Sequence, residues 1–389
     1  MASEKKVMLS AGCYERFVLG YDFFKSGEED EYKLQKNFSV AAHQGPVKCM
    51  AASGDLMVTG GNDDALRIFN LRSGKDLGHL VQHQGSVTCV EFYKNEESAA
   101  PTHLLSGSED RNICVWRVGG WAHVKTLTGH KGVINDLAIH PSGNLALSVS
   151  RDSSMRMWDL GTAKLAARMH FKAGAADLVQ FTKDGDEYIL GADKKVTMNS
   201  VEGCEEMAHF THEKRVTCMA TTSHQDHGLI TATENGSIYG WDTDSGEETF
   251  VIKQAHASRI RGLTVLSTDE ASTGAHMFAT GSSDGVVKVW DLRRVSGSED
   301  TKVEPLCETN TTARVTCLAA TTWEETKISK GERRKEKKRA QEEAEEEAEE
   351  LEAEQTRKTK KGGGNAGKQK DGGNKAAEKS KKKAKTTQP

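Results

Sequence analysis

The sequence predicts an all-β ring of seven blades, a β-propeller, and three observations carry that prediction. One β-rich unit recurs along residues 1–323 of the 389-residue chain. It consists of a His, a β-branched residue four positions later that opens an apolar strand, a second strand ending in Ser/Thr-x-x-x-Asp, and a third ending in an aromatic and a polar residue. Seven such closing pairs occur: Tyr21-Asp22, Phe69-Asn70, Trp116-Arg117, Trp158-Asp159, the degenerate Met198-Asn199, Trp241-Asp242 and Trp290-Asp291. Their second residues lie 40 to 49 positions apart, the length of a four-stranded blade with occasional loop insertions. Segments such as VTCVEF, LALSVS and VVKVWD are short, β-branched and separated by turn residues, a pattern of strands. A four-stranded sheet cannot cover both of its own faces. Arranged radially, such sheets cover one another and leave only short edges.

The chain opens in the middle of a unit. VMLSAGCYE and RFVLGYD match the second and third strands, and residues near Lys33 to Ala42 supply an outer strand. The missing inner strand is RVTCLAAT from Arg314. The two ends therefore share one blade, and closure removes an open sheet edge. Blade two runs from His83 to Arg117, blade three from His130 to Asp159, and blade six from His256 to Asp291. Blade four (DLVQFT, EYILGAD, KVTMNS) is the weakest unit. Lys172 stands at its His position and Met198 at its Trp position, so apolar packing alone must hold it. Cys49, Cys89, Cys218 and Cys317 fall six positions after the His, or after the Thr311 that replaces it. They read as small apolar side chains of the inner strands rather than as a redox cluster.

On these residues the chain resembles the WD-repeat β-propeller family, from about residue 6 to residue 322. The resemblance implies that the His, Ser/Thr, Asp and Trp of a unit form a buried hydrogen-bond chain. These are His83, Ser106, Asp110 and Trp116 in blade two, His130, Ser148, Asp152 and Trp158 in blade three, and His256, Thr280, Asp284 and Trp290 in blade six. Asp orients His, His meets the hydroxyl, and the hydroxyl meets the indole N–H, so each buried polar group has a partner. A hydrolase triad uses the same residue types, but it occurs once, at one cleft, whereas this set recurs. No phosphate-binding glycine loop, metal cluster or unique nucleophile appears. The expectation is a non-enzyme with no cofactor and no metal.

The resemblance also assigns two sets of residues to one end of the ring. The residues five after the His are Lys48, Thr88, Asn135, Asp177, Thr217, Arg261 and Thr316. Those preceding the Asp include Asn62, Glu109, Arg151, Glu234 and Ser283. Three positions after the His lie Arg215 and Arg259, with Arg314 in the equivalent place. Lys48, Arg215, Arg259, Arg261 and Arg314 fall on blades five, six, seven and one, which are contiguous in a closed ring. They form a candidate partner-binding face, a basic arc on a body whose residues 1–323 carry a net charge of −9. Arginine suits bidentate contacts to an acidic peptide or to RNA phosphate; solvated surface charge is the plainer alternative.

After Trp323 the strand pattern stops. Residues 324–389 hold 20 Lys and Arg against 15 Asp and Glu. Residues 324–361 read as a charged, partly helical segment, with too few apolar residues for a coiled coil, and residues 362–389 as a disordered lysine-rich tail. RRKEKKR and KSKKKAK read as nuclear-localisation or nucleic-acid patches. Without interleaved aromatics their attraction to phosphate is salt-sensitive and indifferent to sequence; a solubilising tail is the alternative. No apolar run reaches the roughly 18 residues of a membrane span, the opening MASEKKVMLS lacks an apolar signal core, and the eight cysteines contain no CxxC pair. A soluble protein with reduced thiols is expected.

LCETNTTARVTCLA from Leu306, the opening LSAGCYERFVLGYD and the lysine-rich end add a narrower resemblance, to the p21-activated protein kinase-interacting proteins and their fungal counterparts. It implies a nuclear and nucleolar scaffold in large ribosomal subunit assembly and pre-rRNA processing. The partners it implies are pre-60S assembly factors or ribosomal proteins, with rRNA reached through the basic tail and the chain monomeric within larger complexes. Two alternatives stay open. One is negative regulation of p21-activated protein kinase. The other is a substrate receptor of a cullin-type ubiquitin ligase, suggested by the WDxR match Trp290-Asp291-Leu292-Arg293.

Overall fold

The computed structural model describes residues 5–324 apart from 27–30, 96–97, 99, 173, 225–226, 267–275 and 296–302. The expectations for the tail past Glu324 lie outside the described residues. The described chain is a seven-bladed β-propeller of four-stranded antiparallel sheets. Blade one comprises Val47–Ser53, Leu56–Gly61, Ala65–Asn70 and Lys75–Val81. Blade two comprises Val87–Tyr93, His103–Ser108, Ile113–Arg117 and Ala122–Leu127. Blade three follows with Ile134–Ile139, Leu145–Ser150, Ser154–Asp159 and Lys164–His170, and blade four with Leu178–Phe181, Glu187–Ala192, Lys195–Ser200 and Glu206–Thr211. Blade five is Val216–His224, His227–Thr233, Ile238–Trp241 and Glu248–Ile252; blade six is Ile260–Leu266, Met277–Ser282, Val286–Asp291 and Cys307–Asn310. A single 3-10 turn, Leu292–Arg294, follows the third strand of blade six.

Blade seven is built from both ends of the chain. Val315–Glu324 forms its inner strand against Lys5–Cys13, followed by Phe17–Lys25 and Tyr32–Ala41. The register runs from Lys5 opposite Glu324 through Leu9 opposite Ala320 to Gly12 opposite Cys317. The inner strands of successive blades lie side by side around the whole ring, with Val315–Glu324 next to Val47–Ser53. The Thr316 hydroxyl ties that last junction by donating to Val47 O at 2.6 Å.

The core is divided into seven clusters, one at each junction between blades. Between blades one and two, Leu66 and Ile68 meet Leu104, Cys114 and Trp116. Between blades three and four, Leu147 and Met155 meet Val179, Tyr188 and Leu190. Each buried aliphatic side chain contributes roughly 1.5–3 kcal/mol. Blade four keeps its place by this packing: Met198 lies in the Trp position, buried with Ile189, Phe210 and Trp241.

The four repeat-position cysteines lie on inner strands, and all eight cysteines are free thiols. Cys49, Cys89 and Cys317 are paired across the sheet with Gly60, Gly107 and Gly12. A Cβ on Gly107 would lie 2.6 Å from Cys89 Sγ and 2.8 Å from Ile134 Cγ2, so glycine there admits the sulfur. Burial pushes the Cys89 thiol well above its usual range and Cys317 up to about 12. These thiols are packing groups.

Candidate binding rim

One end of the ring is built from the same two pieces of chain in six of the seven blades, blade four excepted. The segment after the His approaches the hairpin between the second and third strands, and backbone bonds clamp the two. Asn62 N donates to Pro46 O, Glu109 N to Ser86 O, Arg151 N to Val133 O, Glu234 N to Arg215 O, Ser283 N to Arg259 O, and Tyr14 N to Arg314 O, all at 2.8–3.1 Å. The residue after the Asp position turns left-handed: Asp64, Arg111, Ser153, Gly236 and Gly285 have φ between 57° and 85°. The Asp shapes this turn, since Asp110 Oδ1 accepts from Asn112 N and Asp152 Oδ1 from Ser154 N.

Beneath the rim the buried sets are present. In blade two, His83 Nδ1 lies 2.9 Å from Asp110, His83 Nε2 lies 2.9 Å from Ser106 Oγ, and Trp116 Nε1 donates to Ser106 Oγ at 2.9 Å. Blade three repeats this with His130, Asp152, Ser148 and Trp158 at 2.8–3.1 Å. The indole N–H donates to the hydroxyl oxygen; with the hydroxyl hydrogen on Nε2, Nδ1–H donates to the carboxylate. Burial holds His130 below its usual pKa against the pull of Asp152. Asp152 itself is held far below the carboxylate range; burial opposes this, but bonds from Ser154, Lys131 N–H and His130 outweigh it.

Blade six departs in detail. His256 Nε2 meets Thr280 Oγ1 at 2.8 Å and Trp290 Nε1 donates to the same oxygen. Asp284 stands 3.5 Å from His256 Nδ1, which has no hydrogen-bond partner. Two partial sets went unread in the sequence. Blade one joins Asp63, His43 and Thr59 at 2.8 Å per link, with Phe69 in the Trp place. Blade five joins His212, Thr231 and Trp241 without an Asp, and His212 Nδ1 turns to Lys194 O. The signal was present as His, Thr and Asp at repeat spacing; the missing Trp or Asp hid it.

The residues five after the His occupy a β-bulge at the rim end of six inner strands: Lys48, Thr88, Asn135, Thr217, Arg261 and Thr316 fall at the register shifts. A bulge re-aims the side chain. Thr88 donates to Ile134 O of the next blade at 2.7 Å, and Asn135 Nδ2 to Ala176 O at 2.8 Å. These polar residues bridge blades. Charged residues at the same position act differently. Lys48 pairs with Glu109 at 2.6 Å, and Asp177 with Arg215 at 2.8 Å.

Arg314 pairs with Glu15 at 2.9 Å, and its guanidinium lies 3.9 Å from the centre of the half-exposed Tyr14 ring. Burial opposes it, but the bonds from Arg314 hold the Glu15 carboxyl below its usual range. Glu15 fills the Asp position of blade seven, a role the sequence reading missed because the residue is one methylene longer. Arg259 and Arg261 have no carboxylate within ion-pair distance among the described residues. Burial, then Arg259 and Arg215, hold the Arg261 pKa below its usual value.

The repeats and the whole chain have known relatives. The family signature "WD domain, G-beta repeat" matches residues 33–70, 74–117, 121–159, 204–242 and 247–291; the first three strands of degenerate blade four fall outside the matched segments. The chain is 33% identical to p21-activated protein kinase-interacting protein 1-like of Xenopus laevis, covering 82% of each. It is 30% identical to p21-activated protein kinase-interacting protein 1 of Homo sapiens, over 80% of this chain and 76% of that one. It is 27% identical to Protein MAK11 of Saccharomyces cerevisiae, over 75% of this chain and 79% of that one. With its seven closed blades, repeated polar sets and these relatives, the chain belongs to the WD-repeat family, in the group of p21-activated protein kinase-interacting proteins.

Proposed function

We propose that the protein is a non-enzymatic scaffold of the nucleus and nucleolus that serves large ribosomal subunit assembly. In this reading its rim holds pre-60S assembly factors or ribosomal proteins. The observation that carries the scaffold reading is the disposition of the polar groups. The His, Ser/Thr and Asp sets recur and are buried as structural bonds, while Arg215, Arg259, Arg261 and Arg314 stand exposed on one rim, where a partner can reach them. The ribosomal part rests on the family resemblance and on the lysine-rich end, which suits salt-sensitive attraction to rRNA phosphate. Sedimentation after mild lysis tests it: the chain should travel with large-subunit precursors, and its depletion should accumulate unprocessed large-subunit rRNA. Normal processing after depletion sinks the proposal.

The names of the vertebrate relatives, which print an interaction with p21-activated protein kinase, favour a second reading in which this chain binds such a kinase; the family resemblance makes that binding inhibitory. Direct binding to purified kinase with lowered phosphotransfer would support it. The ligase-receptor reading loses ground to a local explanation. Asp291 accepts from Arg293 N, Nε and Nη2, the last at 2.7 Å, and caps the 3-10 turn. Within WDxR, Arg293 thus has a bond inside its own blade.

A further inference from the structure

We infer that Arg259 and Arg261 form an anion-binding notch on blade six that takes the carboxylates of an acidic peptide segment from a partner protein. The inference deepens the scaffold reading and rests on it for the partner's being a protein. Of the five basic residues of the arc, Lys48, Arg215 and Arg314 are answered by Glu109, Asp177 and Glu15. Arg259 and Arg261 are exposed and, among the described residues, have no such counterpart. Their backbone is fixed in advance. Arg259 O accepts from Ser283 N at 3.0 Å and from Ser282 Oγ at 3.1 Å, while Ser258 O accepts a second contact from Ser282 Oγ at 3.2 Å. Arg261 sits on the bulge, where blades two, three and seven place a side chain that bridges to the next blade. Here the position holds a guanidinium with two arginines as its charged neighbours. An arrangement of like charges on a rigid loop is unfavourable in the free protein and is relieved when an anion arrives.

The form of the patch selects its ligand. RNA needs a track of cations along its backbone, whereas this patch is local, on a body of net charge −9 over residues 1–323. Its flanks are ion pairs, with Arg215–Asp177 on one side and Arg314–Glu15 on the other. A short peptide bearing spaced carboxylates meets two guanidinium forks, which grip carboxylates bidentately.

The test uses the full chain at physiological salt and a fluorescein-labelled alternating Glu–Gly peptide. A Gln–Gly peptide and an oligouridylate of equal length serve as comparisons. R259Q/R261Q is set against K75Q/K125Q, which removes the same charge from exposed outer strands. Contributions of the lysine-rich tail are common to both variants. R259Q/R261Q should weaken Glu–Gly binding by about 10-fold or more, K75Q/K125Q by less than about 2-fold, and R259K/R261K should lie between them. The melting temperature of R259Q/R261Q should equal or exceed that of the parent, because a like-charge strain is gone. Equal losses in the two Gln doubles, no loss in either, or a selective loss of oligouridylate binding overturns the inference. If the variants do not differ while the chain still sediments with large-subunit precursors, the notch fails and the scaffold reading stands.

Discussion

Replacing Asp152 by Ala tests the buried polar set where it is most fully bonded. The carboxylate accepts four bonds: His130 Nδ1 at 3.1 Å, Lys131 N at 2.7 Å, Ser154 N at 3.0 Å and Ser154 Oγ at 2.6 Å. The His130 side chain is 1% exposed, so water cannot replace the lost acceptor. Lys131 N lies near solvent and can be hydrated, and Ser154 Oγ, 3.4 Å from His130 Nδ1, offers partial rescue. One stranded buried donor costs about 1–3 kcal/mol and bonds to a charged group lie at the upper end, giving about 3 kcal/mol in all. At roughly 2.1 cal/mol/K per residue, a ring of this size loses about 1.5 °C per kcal/mol if it melts as one unit, or about 4–5 °C.

The comparison with Asp284→Ala makes the reasoning refutable. Asp284 accepts from Ala257 N at 3.1 Å and Val286 N at 2.9 Å, but stands 3.5 Å from His256 Nδ1, which is already without a hydrogen bond. Its loss should lower the melting temperature by about half as much. Scanning calorimetry, with near-ultraviolet circular dichroism to check that each variant melts cooperatively, reads both. An Asp284→Ala shift equal to or larger than that of Asp152→Ala would falsify the claim that the carboxylate–histidine bond is the dominant contribution.

Three further outcomes follow from the same structure. Deleting residues 1–25 removes two strands of blade seven and exposes the edge of Val315–Glu324; the truncated chain should melt lower and self-associate in sedimentation velocity, and unchanged melting refutes closure by the shared blade. Gly107→Ala places a Cβ against Cys89 Sγ and Ile134 and should cost about 1–3 kcal/mol; adding Cys89→Ala should recover part of that cost in denaturant titration, and strict additivity contradicts the packing account. The pH response should separate two classes of buried group. His43, His130, His212 and His256 are lowered by burial, His256 to about 4. Their stabilisation is complete above their unfolded value and is lost as pH falls toward the folded values. Burial raises Asp136 to about 7 and lifts Glu91 well above its range. Their contribution is present at acid pH and is lost as pH rises through neutrality. Asp136→Asn should therefore melt with a steeper decline than the parent on acidification from pH 7 to 4, and parallel profiles exclude this role.

What was legible in the sequence is what spacing dictates. A buried Trp needs its hydroxyl, the hydroxyl its His and the His its Asp, so His130, Ser148, Asp152 and Trp158 announce themselves by type and interval. The shared blade was legible because the chain opens with strands that lack a first partner. Blade four was legible through its neighbours, since the repeat interval leaves room for one more sheet whatever its residues. Charge pairing was not legible. Lys48 and Glu109 lie 61 positions apart, and only the bulge geometry aims one at the other. Glu91 and Asp136 carry no repeat signal in the sequence, yet each accepts a backbone N–H from the next blade, at Ile139 and Val179 respectively. Alternation along one strand reports which face a residue takes, not which neighbouring sheet supplies its partner.

The bulge position shows how this ring varies its rim without weakening its joints. Thr88, Asn135 and Thr316 each use it to bond a carbonyl of the following blade. At Arg261 the bridge is absent, and the junction between blades six and seven is held by other means. Leu9, Leu19 and Leu318 pack there against Leu266, Met277 and Val287. An apolar cluster lies at every junction, so the bulged residue can differ from blade to blade without opening the ring. Lys48 on its bulge, and Asp177 at the equivalent place of blade four, which has no bulge, reach the next blade by an ion pair instead. Among the described residues, Arg261 is thus the charged residue at this position without an ion pair, the feature on which the proposed anion site rests.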